Sequence, residues 1–122
     1  MFIITILCSA LLAIAFLGSG SMKAIGKPEI VEGLGRLGVS PPLVRTIGVL
    51  ELAGAVGVLV GLAVPWLGIA AATGLGLLMI GAIGFHMRAG DYSDPKFRGP
   101  ASMPLILLPL AAATVVLRLI TT

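Results

Sequence analysis

The chain has 122 residues, 58% of them hydrophobic and only 11% charged, with a formal net charge of +3. Soluble domains carry about a quarter charged residues, and a soluble chain this short buries only about 60–70% of what it exposes unfolded. A water-soluble fold is therefore excluded: lipid is the solvent for most of the apolar surface, and an all-α integral membrane four-helix bundle is expected. The length leaves no room for a second domain, so residues 1–122 are expected to form one. The basic residues sit at segment ends without interleaved aromatics, a pattern that anchors helices at anionic headgroups and carries no nucleic-acid signature. The single cysteine, Cys8, rules out a disulfide framework and a CxxC redox pair, and is expected to be a small packing residue.

Residues 1–22 contain no charge, and Lys23 ends the stretch. About 20 apolar residues cross a ~30 Å hydrocarbon core. A secretory signal would carry its basic residues first and a shorter apolar run, so a retained first span over about 1–22 is predicted. Between Arg45 and Arg88 the only titratable side chains of acid or base type are Glu51 and His86. That interval is too long for one span, and Val64-Pro65-Trp66 divides it, because proline breaks helices and tryptophan prefers the membrane–water interface. Spans over about 45–63 and 66–88 follow. A fourth covers about 101–120, with Pro104 and Pro109 expected to bend it.

The first connector is more than a linker. Pro28 suits the first position of a short helix, and Ile30, Leu34 and Leu37 share one face at i, i+4, i+7. Glu29, Glu32 and Arg36 lie off that face, and Gly38 can close the helix. A short amphipathic interfacial helix over 28–38 is predicted between the first two spans. Connectors 23–44 and 89–100 and their edges hold seven of the eight basic residues, Arg118 being the exception. The positive-inside rule then places both connectors in the cytoplasm and both termini outside. Ser21-Met22-Lys23-Ala24 at the end of the first span weakly echoes His86-Met87-Arg88-Ala89 at the end of the third, as two related helical hairpins would.

Glu51 is the most informative residue. It lies six positions past Arg45, about 9 Å into its span at 1.5 Å per residue. An acid there costs roughly 2.5–3.5 kcal/mol on insertion scales. The ten Ile, Leu and Val residues of 46–64 return about 0.3–0.6 kcal/mol each, so the helix still inserts. Its helical neighbours Gly48, Gly54 and Ala55 are small, which marks a face of close helix approach, so Glu51 is expected to point into the bundle. Lys23, Arg45, His86 and Arg88 end up at a similar level, with Ser19 and Ser21 adding hydroxyls. Together they are expected to form a polar cup floored by apolar side chains. In it Glu51 is the candidate acid or base, and Arg88 or His86 sets its protonation. Ser19, Ser21, Lys23, Arg45 and Asp91 are candidate ligand contacts, although Asp91 also reads as a helix-end cap or a solvated turn residue. His86 has no second His or Cys nearby, so no metal site is expected. The sequence names no cofactor.

Three segments together resemble the DoxX-like family of small bacterial membrane proteins: Phe16-Leu17-Gly18 with Lys23, Gly48-Val49-Leu50-Glu51-Leu52-Ala53-Gly54, and His86-Met87-Arg88-Ala89-Gly90-Asp91. The resemblance spans nearly the whole chain. It implies a four-helix fold in the bacterial cytoplasmic membrane, with polar residues at Glu51, His86 and Arg88. It implies function poorly, because fold-level analogy does not transfer an activity. The family takes its name from a membrane subunit linked to thiosulfate and quinone oxidation, and some members accompany redox enzymes. Two expectations follow. In one, the cup binds a small lipid-soluble molecule such as a quinone, serving a redox partner in the membrane or working as a small enzyme through Glu51. In the other, the protein is a non-catalytic assembly or partner-binding factor, with Glu51 locked in a structural ion pair.

Overall fold

A computed structural model describes residues 2–121; Met1, the expected start of the first span, lies outside the described residues. The chain runs α1 (Phe2–Ala24), α2 (Pro28–Gly35), α3 (Pro41–Val60), α4 (Pro65–Arg88) and α5 (Arg98–Thr121), with a single 3-10 turn at Asp91–Ser93 before α5. No strand occurs among the described residues. Four helices are long and apolar enough to cross a membrane: Phe2–Ala24, Pro41–Val60, Pro65–Arg88 and Ala101–Thr121. In each, only 28% of the most apolar stretch is buried inside the bundle, which leaves a large apolar surface on the outside for lipid. That outward apolar surface accounts for the missing charge.

α1 packs most extensively on α3 and α4 on α5, while α3 against α4 and α1 against α5 close the ring. This pairing fits two helical hairpins. The core between them holds Leu12 and Phe16 of α1, Leu75 and Met79 of α4, and Leu107 and Ala111 of α5. Small residues set how near the helices come. A Cβ built on Gly48 would stand 2.7 Å from the Gly20 carbonyl oxygen and from the Lys23 Cβ, so α1 and α3 cross almost backbone to backbone.

Helix ends depart from expectation where local chemistry overrides hydropathy. α3 starts at Pro41, before the expected residue 45, because Ser40 is extended and proline at the first turn is pre-shaped for a helix. It stops at Val60, short of 63, where Gly61 meets Gly68 of α4: a Cβ on Gly61 would lie 2.5 Å from the Gly68 backbone nitrogen. The hairpin is thus tight, and Trp66, 69% exposed, opens α4 where an interfacial residue was expected. α2 ends at Gly35, before the expected 38, through a closing turn in which the Val39 N–H donates to Leu34 O and the Gly38 N–H to Gly35 O. That double bond pattern needs a left-handed residue, and Gly38 supplies it at φ 90°. α5 continues through Pro104 and Pro109. Arg118, the basic residue outside the connectors, is buried and donates to the Gly61 carbonyl, holding one of the last carbonyls of the α3 end.

Candidate functional site

The site lies at the bundle end that carries both long connectors. Where α1 crosses α3 at Gly20 and Gly48, the Lys23 ammonium of α1 reaches Glu51 of α3 and donates to Oε1 at 2.5 Å. The same ammonium donates to Ser19 Oγ at 3.0 Å. Glu51 is fully buried, and its Oε2 has no hydrogen-bond partner in the protein. The expected inward acid is therefore in place, and its cation is Lys23.

A second polar group stands opposite. His86, in the last turn of α4, contacts Asp91 Oδ2 through Nδ1 at 2.5 Å. Arg36, just past α2, donates to both oxygens of the same carboxylate, at 3.0 and 2.9 Å. The Arg36 guanidinium also stacks 3.7 Å from the centre of the Phe97 ring, a cation–π contact. Asp91 is completely buried rather than a solvated turn residue, and its two oxygens are engaged by Arg36 and His86. The Arg36 hydrogen bond, helped by His86 and opposed by burial, holds the Asp91 carboxyl below the usual carboxylate range. Next to it, the Tyr92 hydroxyl donates to the Ala101 carbonyl at 2.9 Å and ties the turn to α5. Burial, reinforced by the Asp91 charge, pushes the Tyr92 hydroxyl up.

Two cavities occupy this end. The larger, about 480 Å³, lies among α1, α2, α4 and α5 and is lined by Phe16, Ser19, Lys23, His86, Met103 and Leu107 among others. The smaller, about 250 Å³, lies towards α3 and includes Glu51, Ile47, Val39 and Phe85 in its wall. Lys23, Leu34, Leu37, Met79, Ala82 and His86 line both. The apolar face predicted for α2 is therefore turned into the bundle, with Leu34 and Leu37 partitioning the two chambers. A cavity of about 540 Å³ between α3 and α4 is lined only by apolar residues and glycines; nothing in it could orient a polar reactant.

Other sequence candidates fall outside the cup. Arg88 is exposed, and Glu51 is held by Lys23 instead, so Arg88 is not placed to set the protonation of that acid. Arg88 shares a helix stripe with Gly84 and Gly81, but a Cβ on either glycine would meet nothing within 4 Å, so no helix closes on that face. Arg45 is exposed and packs on Gly26. Ser21 is exposed and donates to the Leu17 carbonyl of its own helix. The pieces that sequence reasoning missed are Arg36 as the partner of Asp91, and the walls given by Leu34, Leu37 and Phe97. The available signal for Arg36 was that a cation in connector 23–44 and an acid in connector 89–100 share one end of the bundle.

The Arg36–Asp91 clamp is the main polar hold on α2, and it titrates with a definite sign. Because the Asp91 carboxyl is lowered, the clamp contributes fully above the ordinary carboxylate range and is lost as pH falls through the lowered value. Hydrogen exchange of residues 28–37, corrected for intrinsic rates, should be flat from about pH 8 to 5 and rise only in more acid solution. Asp91→Asn should raise it about tenfold across that whole range, because local opening then needs less free energy.

The fold and the site define a class: a four-span helical membrane protein with a mostly apolar cavity and an inward carboxylate beside a lysine. Residues 7–117 match the DoxX-like family, and the chain belongs to it. Neither the curated proteins nor the solved structures give a match.

Proposed function

We propose that this chain binds a small lipid-soluble molecule in the cup around Glu51. The observation that carries the reading is the pair of adjoining chambers, about 480 and 250 Å³, whose walls are mainly apolar with their polar groups gathered at one level. Binding cavities for small molecules have that make-up: apolar walls with a few fixed polar groups. Lys23, Glu51 and His86 are the residues offered for orientation, with Ser19 as support for Lys23. A quinone as the ligand and a redox enzyme as the partner rest on the family resemblance alone. In that setting the chain is a membrane subunit that holds the molecule for its partner, or a small enzyme in which Glu51 exchanges the proton. The connector end is proposed to face the cytoplasm of a bacterial cell, with the chain in the cytoplasmic membrane, because seven basic residues gather there.

A second reading has its own support. The Lys23–Glu51 pair joins α1 to α3 at their tightest crossing, where a structural lock in an assembly or partner-binding protein would sit. Native mass spectrometry of the gently purified protein separates the two. A stoichiometric apolar molecule in the wild type, lost in Glu51→Gln, is the expected result. An empty bundle, or one carrying only bulk phospholipid in both proteins, would leave the lock as the function of the pair.

A further inference from the structure

The chemistry of the cup constrains what it takes, granted the binding reading above. Glu51 has two oxygens and one protein donor. Lys23 serves Oε1, whereas Oε2 is shielded from solvent and receives nothing from the protein. A buried acceptor without a donor costs free energy that a bound donor recovers. The lysine ammonium gives two of its three N–H groups to Ser19 and Glu51. The smaller chamber counts Glu51 in a wall that is otherwise mainly apolar.

We infer that the cup selects a hydrogen-bond donor: a neutral, mainly apolar molecule with one hydroxyl or N–H, which it gives to Glu51 Oε2. The smaller chamber, about 250 Å³, has room for a substituted ring, since an apolar cavity of about 150 Å³ takes benzene. The apolar remainder of the molecule extends past Leu34 and Leu37 into the larger chamber. Molecules that offer only acceptors, such as ketones, ethers and the ester chains of bulk lipid, leave Oε2 unserved and are discriminated against.

The test compares 4-butylphenol with its methyl ether, 4-butylanisole, on the full chain in one detergent, with affinities read by native mass spectrometry. The two probes share an apolar body and differ in the donor. The phenol should bind about tenfold more tightly, equivalent to about 1.4 kcal/mol. In Glu51→Gln, Lys23 retains the side-chain oxygen and the amide NH2 takes the Oε2 position, so the preference should reverse towards the ether. Equal affinities in the wild type, or a tighter ether, would overturn the donor inference while leaving the cup as a binding site. No binding of either probe would overturn the binding reading with it. The wild-type comparison stands alone if the variant fails to fold.

Discussion

Replacing Gly48 by alanine should lower stability in detergent by about 3 kcal/mol, at the upper end of what an inserted methyl costs in a packed interior. The added Cβ would fall against the Ala24 backbone nitrogen and stand 2.7 Å from the Gly20 carbonyl oxygen. Backbone atoms cannot step aside as a flexible side chain can, so α1 and α3 must separate. Separation also lengthens the reach from Lys23 to Glu51, which is now 2.5 Å, and the methyl's cost is compounded by a weakened ion pair. Gly18→Ala is the control. Nothing lies within 4 Å of a Cβ there, and alanine is the better helix former by roughly 0.5–1 kcal/mol, so that variant should be unchanged or slightly more stable. Thermal unfolding of the three proteins in one detergent reads the difference. Similar midpoints for Gly48→Ala and Gly18→Ala would mean that the crossing is looser than described.

That crossing also explains which parts of the site could be read from the chain. The four spans were legible because long uncharged intervals bounded by Lys and Arg are dictated by the bilayer itself. The inward direction of Glu51 was legible too, since its neighbours Gly48, Gly54 and Ala55 mark a face of close approach; Gly54 meets Leu75 of α4, and Ala55 is buried. The partner of Glu51 was not. Arg88 and Lys23 both stand at helix ends on one side, and each shares a stripe with glycines. What separates them is whether another helix fills that stripe, as α3 does at Gly20 and none does at Gly81 or Gly84. A small residue shows where a helix can approach, and only the packing shows where one has. The Arg36–Asp91 clamp was hidden for a related reason. It joins residues 55 positions apart through two connectors, whose path depends on turn geometry more than on hydropathy. The weak echo between Lys23 and Arg88 does not extend to what the side chains do: Lys23 pairs with Glu51, whereas Arg88 is exposed.

The Lys23–Glu51 pair should respond asymmetrically to loss of either member, and the asymmetry decides how much of its role is structural. Lys23→Met leaves a buried acid without its cation and should cost about 3–5 kcal/mol, the usual penalty for breaking a buried pair from one side. Glu51→Leu should cost less. The Lys23 side chain keeps 18% of its exposure and its bond to Ser19 Oγ, and a lysine stem can carry its ammonium towards the interface. The double variant, Lys23→Met with Glu51→Leu, removes both charges together and should recover most of the stability, because a buried pair replaced by apolar side chains is often neutral or better. Thermal unfolding of the four proteins gives the coupling directly. Ligand retention in the double variant then carries the functional weight. If the pair only locks α1 to α3, the double variant folds and behaves as the wild type in every assay. If Glu51 serves a ligand, the double variant folds equally well and the stoichiometric small molecule is gone. A double variant destabilised by the sum of the two single effects would show that the two side chains are not coupled, and would remove Lys23 as the partner on which the acceptor at Oε2 depends.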